Sequence, residues 1–508
     1  MRHLILAVIA LILIAVGLWQ LDRDTVGLTV TADRVGAMPV TLYQPAAAEP
    51  APVVLIAHGF AGSQQLMQSF AITLARNGYL AVTLDLPGHG RHSEPLQGGI
   101  ADPERRSETL REALVPAIAW ARALPGGDGR VALLGHSMAT DVLVRLAKVD
   151  PDIAATVAVS PFSDQVTAER PRNLLVIYGA TEPKHLHEVG ERILARTTGG
   201  PVELGRLYGE FGDGTARRLV HAAGVEHTGV LFSGESLDAA RDWLDRVFER
   251  AGPGDITPRA SWLGLLFLGI LLLARPLSEL LPRVAPAPRG GARPWRRLWP
   301  VVVLPAVLTP LLLWPVPSGY LPILLGDYLA LHFGLYGLLT VLLLWWTHPR
   351  TPSVELDRVP ASTNWWLFAL ATVATAAYVT FAIALPADGF LTSYLPGPER
   401  APLILAVFVG TLAFFAADEW ATRGPHAPRG AYLATKVLFL TSLAAAVLLN
   451  ATKLFFLAII LPAMLIFFVI YGLFSRWAYR RTNHPLVGGL ANALAFAWAI
   501  AASFPLVG

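Results

Sequence analysis

The chemistry of this 508-residue chain would turn on Ser137. It stands in Gly135-His136-Ser137-Met138-Ala139, between a strand-like apolar run, Arg130 to Gly135, and a helical pattern, Met138 to Lys148. A serine on so sharp a strand-to-helix turn is held out at the top of a parallel sheet. There a histidine from another loop can take its proton and make the oxygen a nucleophile. The usual turn is Gly-x-Ser-x-Gly. Ala139 in the last place keeps the turn feasible and crowds it. Five residues are a weak signal by themselves, so the weight falls on the elements around them.

Those elements alternate. Residues 27–43 read as an opening β-hairpin, and Pro52 to Ala57 as a short apolar strand buried on both faces, ending in His58-Gly59-Phe60. An amphipathic helix over 64–77 is closed by Gly78, and the next strand ends at Asp85 before LPGHGRHS. A helix over 104–123, the strand before Ser137, and further strands at 153–160 and 173–178 come after it. Strands alternating with helices at this spacing mean βαβ units and a parallel sheet.

Four motifs in this order, HGF (58–60), DLPGHGRHS (85–93), GHSMA (135–139) and a late histidine in GVEHTG (224–229), resemble the α/β-hydrolase fold over roughly residues 27–250. The resemblance implies a triad. Ser137 is the nucleophile, and His227, on the loop before the last helix of the domain, is its base. Glu182, just past the strand LLVIY and Gly179, is the acid; Asp164, one strand earlier, is the alternative. The oxyanion hole would take the amides of Met138 and Phe60. His58, His89 and His136 read as structural neighbours of the motifs, and Asp213 in a Gly-Asp-Gly centre as a hairpin turn. His185 and His187 lack a third partner at ligand spacing and read as a solvated helix face, so no metal and no cofactor are expected. Only about a dozen residues separate Ser160 from Asn173, which leaves no room for a large cap.

The second half of the chain is of another kind. Overall, 54% of residues are hydrophobic and 15% charged, far from the soluble average, and the excess lies after residue 260. An apolar run over 4–19 follows Arg2 and reads as an uncleaved anchor. Further runs near spanning length fall at about 260–281, 298–317, 321–346, 365–385, 401–417, 431–449, 454–475 and 485–506. The arginine-bearing loops alternate: 282–297, 347–364 with Arg350 and Arg358, 418–430 and 475–484. By the positive-inside rule these loops and the N-terminus are cytoplasmic, and the domain with Ser137 and the C-terminus extracytoplasmic. Prolines 300, 305, 310 and 315 predict a kinked helix buried among neighbours. Asp327 and His332, within a span, are either a site or a structural polar contact. Zero cysteines exclude disulfides.

The expected architecture is α/β and mostly parallel without a large cap, followed by an all-α polytopic transmembrane bundle. The expected domains are an anchor (1–20), an extracytoplasmic hydrolase domain (21–255) and a membrane domain (256–508). The expected protein is an integral membrane serine hydrolase of a plasma (in a bacterium, inner) membrane. It would cleave an ester, with a lipid or an acylated envelope molecule as the candidate substrate, and bind no nucleic acid. An acyltransferase on the same triad, and a transporter or scaffold with a ligand-binding hydrolase-like domain, are the alternatives.

Overall fold

Eight strands form one sheet in the order β1-β2-β4-β3-β5-β6-β7-β8. The computed structural model describes residues 1–46, 49–99, 102–291, 293–347, 362–425 and 427–508. β1 (Leu28–Val35) and β2 (Met38–Pro45) are an antiparallel hairpin, and β2 pairs antiparallel with β4 (Leu80–Leu84). All later pairings are parallel, through β3 (Ala51–Ala57), β5 (Gly127–His136), β6 (Ile153–Val159), β7 (Leu174–Gly179) and β8 (Arg217–Ala222). Central parallel strands have helices on both faces, which is why β3, β4 and β7 are buried along their whole length.

Alternation along the strands divides the core. Val54 and Ile56 face α2 (Gln68–Arg76) and α6 (Gly234–Phe248). Val53 and Leu55 face α3 (Pro103–Arg122) and α4 (Met138–Val149). Val176 and Tyr178 of β7 meet Ile193 and Leu194 of α5 (Lys184–Thr198). The Gly-Asp-Gly segment turns the chain as expected: the Gly214 amide donates to the Phe211 carbonyl at 3.2 Å, and Tyr208 and Arg217 exchange main-chain hydrogen bonds on either side of the turn. Among the described residues its only antiparallel pairing is a single bridge, Tyr208 with Arg217, and the chain beyond it enters the sheet as the parallel edge strand β8. Asp213 does serve the turn: its Oδ1 accepts the Thr215 amide at 2.8 Å.

The chain divides into two compact units. One is Ala15–Leu266 together with Ala387–Ser393 and Pro505–Gly508; it holds the sheet. The other is Met1–Ile14, Phe267–Pro386 and Tyr394–Phe504.

Among the described residues, nine helices are long and apolar enough to cross a membrane. They are α1 (Arg2–Arg23), α7 (Ala260–Ser278), α8 (Trp295–Leu313), α9 (Gly326–Trp346), α10 (Trp365–Phe390), α11 (Ala401–Thr422), α12 (Ala431–Leu449), α13 (Ala451–Thr482) and α14 (Pro485–Ser503). Glycine lets α9 and α11 approach closely: a Cβ on Gly410 would lie 2.0 Å from the Ala330 carbonyl oxygen. Phe333, Phe414, Phe439, Phe468 and Phe496 pack ring on ring at their centre. The charges buried there are mutually paired, Asp418 with Lys436 and Glu419 with Arg423.

α8 is not enclosed as its prolines suggest. Pro305 and Pro310 sit on its packed face, while Pro300, Val307 and Leu311 are exposed and Pro315 lies beyond its end. Asp327 is a structural contact, accepting the amides of Gly319, Tyr320 and Tyr328 at the start of α9. His332 meets the Ser442 hydroxyl at 3.2 Å. Arg350 and Arg358 lie outside the described residues.

Asp85, at the end of β4, holds two loops of the α/β domain together. Its buried carboxylate accepts the amides of Gln64 at 2.8 Å and Arg91 at 3.0 Å. Gly90, at φ +53°, leaves the room: a Cβ there would overlap that carboxylate at 2.3 Å. Asp85→Ala leaves the buried Gln64 amide without an acceptor and takes the acceptor from the half-buried Arg91 amide. It is expected to destabilise the domain by about 3 kcal/mol, read as a lowered thermal unfolding midpoint.

Candidate active site

Ser137 links β5 to α4 with φ +49° and ψ −115°. A side chain in that region is strained and persists only where the surroundings fix it. Here the flanks do so. The Ser137 amide donates to the Val159 carbonyl of β6 at 2.8 Å, and its own carbonyl accepts the Thr140 amide at 2.9 Å. The chain after β3 also passes close. A Cβ on Gly59 would lie 2.8 Å from Nδ1 of His136 and 3.1 Å from Cβ of Ser137, so only glycine lets residues 58–60 run against the serine turn. Met138, at the first position of α4, and Phe60, next to Gly59, carry the two amides expected to face an oxyanion.

His227 lies on the loop between β8 and α6 and joins the other two candidates. Its Nε2 accepts the Ser137 hydroxyl at 3.0 Å, and its Nδ1–H donates to Oε2 of Glu182 at 2.7 Å. Glu182 follows β7, is 4% exposed, and has its second oxygen fully engaged. Oε1 accepts the Ser160 hydroxyl at 2.6 Å and the Gly179 amide at 2.7 Å. Burial alone would raise the pKa of this carboxyl. The hydrogen bonds from His227, Ser160 and Gly179, with the His227 ring beside it, outweigh burial and hold it below the usual glutamate value. The acid is closed off while Ser137 and His227 stay partly accessible. Asp164 does not join this chain: it is exposed and accepts the Gln165 side-chain amide at 2.7 Å.

The motif histidines have distinct places. His58 is fully buried, with Nε2 accepting the Leu86 amide at 3.1 Å, and burial lowers its pKa. His89 donates from Nδ1 to the Pro87 carbonyl at 2.9 Å and meets the Phe60 ring edge-on. His136 does more than fill space: its Nε2–H donates to the main-chain carbonyl of His227 at 3.0 Å, and the two rings lie 4.9 Å apart. Burial, then the neighbouring His227, pushes the His136 pKa well below the ordinary value. His185 is on an exposed face of α5. His187 departs from the solvated reading, because it stacks on His221 with centroids 4.2 Å apart and Nε2–H donates to the Gly179 carbonyl at 2.9 Å. Among the described residues no group of three or more histidine and acidic side chains has metal-site geometry.

Ser160 is the residue that the sequence does not mark. It directly follows β6 at φ +51° and its hydroxyl reaches the Glu182 carboxylate. A serine after a strand is ordinary, and the backbone that turns it toward Glu182 leaves no trace in composition or spacing.

Residues 48–185 match the family model described as serine aminopeptidase, S33, a hydrolase family. The α/β domain is of hydrolase type. No curated protein matches the chain significantly. Similar solved structures include a dienelactone hydrolase of Klebsiella pneumoniae, at 16% identity over 44% of this chain and 99% of that one, TM-score 0.33. A bacterial membrane phospholipase A is 16% identical over 47% and 93%, TM-score 0.33. A Pyrobaculum calidifontis esterase is 15% identical over 48% and 93%, TM-score 0.33.

Ser160→Ala removes one of three donors to Glu182 and is expected to lower kcat about tenfold. The loss should deepen toward acid pH, because the carboxyl of the variant protonates at a higher pH than in the parent. Equal losses at all pH values would contradict this. Stability carries a second pH dependence. His58 and His136 are held neutral by burial. Below about pH 6.5 the unfolded chain therefore binds protons that the folded chain refuses, and stability falls as the pH drops. Glu182, with its lowered pKa, adds a loss at still lower pH as it titrates. His136→Gln is expected to flatten the fall of the unfolding midpoint between about pH 6.5 and 5.

Proposed function

We propose that this chain is a membrane-embedded serine hydrolase that cleaves an ester through an acyl-serine intermediate. The supporting observation is the unbroken chain from the Ser137 hydroxyl through both His227 nitrogens to the buried Glu182 carboxylate. Ser137 Oγ attacks the ester carbonyl carbon as His227 Nε2 takes its proton. Glu182 stabilises the imidazolium and holds the ring in the tautomer that leaves Nε2 free to accept. The negative charge on the former carbonyl oxygen is met by the amides of Met138 and Phe60. The intermediate collapses, the C–O bond to the alcohol breaks, and His227 returns the proton to the leaving oxygen. Water then repeats the sequence against the acyl-serine and releases the carboxylic acid.

The substrate reading is a lipid or an acylated envelope molecule. It rests on a site without a cap: residues 160–173 contain neither helix nor strand, and Phe162 stands exposed just past β6. The nine long apolar helices among the described residues support a membrane location, where such esters are found. Arginine-bearing loops at 282–297, 418–430 and 475–484 favour a cytoplasmic N-terminus with the hydrolase domain outside. The family description makes an amide substrate the second reading.

Labelling of the full-length membrane protein with a fluorophosphonate is the direct test. Wild type is expected to label, and Ser137→Ala and His227→Ala to lose labelling. Glu182→Gln should retain the fold and lose about 10²- to 10⁴-fold in kcat. A panel of acyl nitrophenyl esters against aminoacyl nitroanilides separates ester from amide hydrolysis, with the esters expected to turn over faster. Orientation can be read from the same protein. It contains no cysteine, so a single cysteine introduced as Lys184→Cys or Asp238→Cys, both at exposed positions of the α/β domain, is the only thiol. Reaction with a membrane-impermeant maleimide in intact cells is expected. Reaction only after lysis would reverse the orientation.

A further inference from the structure

The compact unit that contains the sheet also contains Ala387–Ser393, the last four residues of α10 and the three that follow it. This peptide grips the loop that leaves β3. The Ser393 amide donates to Ser63 Oγ at 2.8 Å, and the Ser393 hydroxyl donates to Gln65 Oε1 at 3.1 Å. Ser63 Oγ itself donates to Gln65 Oε1 at 2.7 Å, and Gln65 Nε2 donates to the Asp388 carbonyl at 3.1 Å. Gln68 adds a bond to the Gly389 carbonyl at 3.1 Å. Ser63, Gln65 and Ser393 are each at most 6% exposed, so water does not replace these bonds. The same peptide reaches the loop after β4, where Arg91 pairs with Asp388 at 2.5 Å.

Both gripped loops lead to the serine. Residues 59–63 run from the close approach at Gly59, past Ala61 at φ +54°, to Ser63. The loop after β4 contributes His89, whose ring meets that of Phe60. A short segment with a strained residue at Ala61 has little means to fix its own path, and a displacement of about 1 Å at an oxyanion donor can cost about 10²-fold in rate.

We propose that residues 387–393 are a positioning element of the active site: Ser393 and the Asp388 main chain fix Ser63 and Gln65, and through them the Phe60 amide opposite Ser137. The inference rests on the reading that this amide receives the oxyanion. It assigns a role in the hydrolase reaction to a stretch outside the matched family region, more than 200 residues after the match ends at residue 185.

The test uses full-length protein in detergent micelles, with an acyl nitrophenyl ester as substrate and fluorophosphonate titration to count active serines. The variants are Ser393→Ala, Gln65→Ala, the double variant and the conservative Ser393→Thr. Ser393→Ala is expected to lower kcat per titrated serine about 5- to 10-fold, with KM within about twofold. The double variant should be no worse than the weaker single one, since both break one network, and Ser393→Thr should recover most of the rate. Unchanged kcat per titrated serine overturns the proposal. So does a smaller titratable fraction with normal kcat in the remainder, which is a folding role alone. Additive losses in the double variant overturn the shared network. A wild type that neither labels nor turns over ester would overturn the reading of the site, and this inference with it.

Discussion

A serine rests at φ +49° only where its neighbours leave it no lower-energy choice, and most of the α/β domain answers to that condition. The turn at Ser137 is pinned behind by β6, ahead by the first turn of α4, and above by a glycine whose missing side chain lets the 58–60 strand end press against it. Each support needs another layer. β6 stays in place because β7 pairs with it, and α4 because its Val142, Leu143 and Leu146 are buried against the sheet. The strain at one residue is thus held by the burial of dozens.

The histidine side of the site obeys a related logic with different forces. His227 is oriented at three points: the Glu182 carboxylate at Nδ1, the serine at Nε2, and the His136 ring beneath its main-chain carbonyl. Glu182 is in turn fixed by a hydroxyl and an amide. Two partners of this set are thus neutral donors, and neither bears a charge that would compete with a positive charge on the His227 ring.

Much of this is legible in the sequence, and the limits are physical. The alternation of apolar strands and amphipathic helices specifies a parallel sheet because burial follows period, and Ser137, Glu182 and His227 stand after β5, after β7 and before α6, where strand ends converge. Asp164 has the right chemistry one strand too early, and the sheet spacing leaves it facing solvent. Ser160 and the carbonyl bond from His136 are not legible, because they depend on backbone torsions and on which way a ring points. The Gly-Asp-Gly reversal is legible because its residues favour a turn, but how the chain continues is not: β8 joins β7 in parallel. Length and apolarity suffice to find the membrane helices, but α8 shows that proline spacing does not decide which face is covered.

The pairing of Leu96 with Val507 places a requirement on biosynthesis. Leu506 donates its amide to the Gly88 carbonyl and accepts the Leu96 amide, so the loop after β4 is finished by residues translated after all the apolar helices. A ribosome making about 5–20 residues each second has released the sheet long before those residues emerge. The nascent α/β domain therefore waits, its β4 loop lacking its last partners, until the final helix has been synthesised.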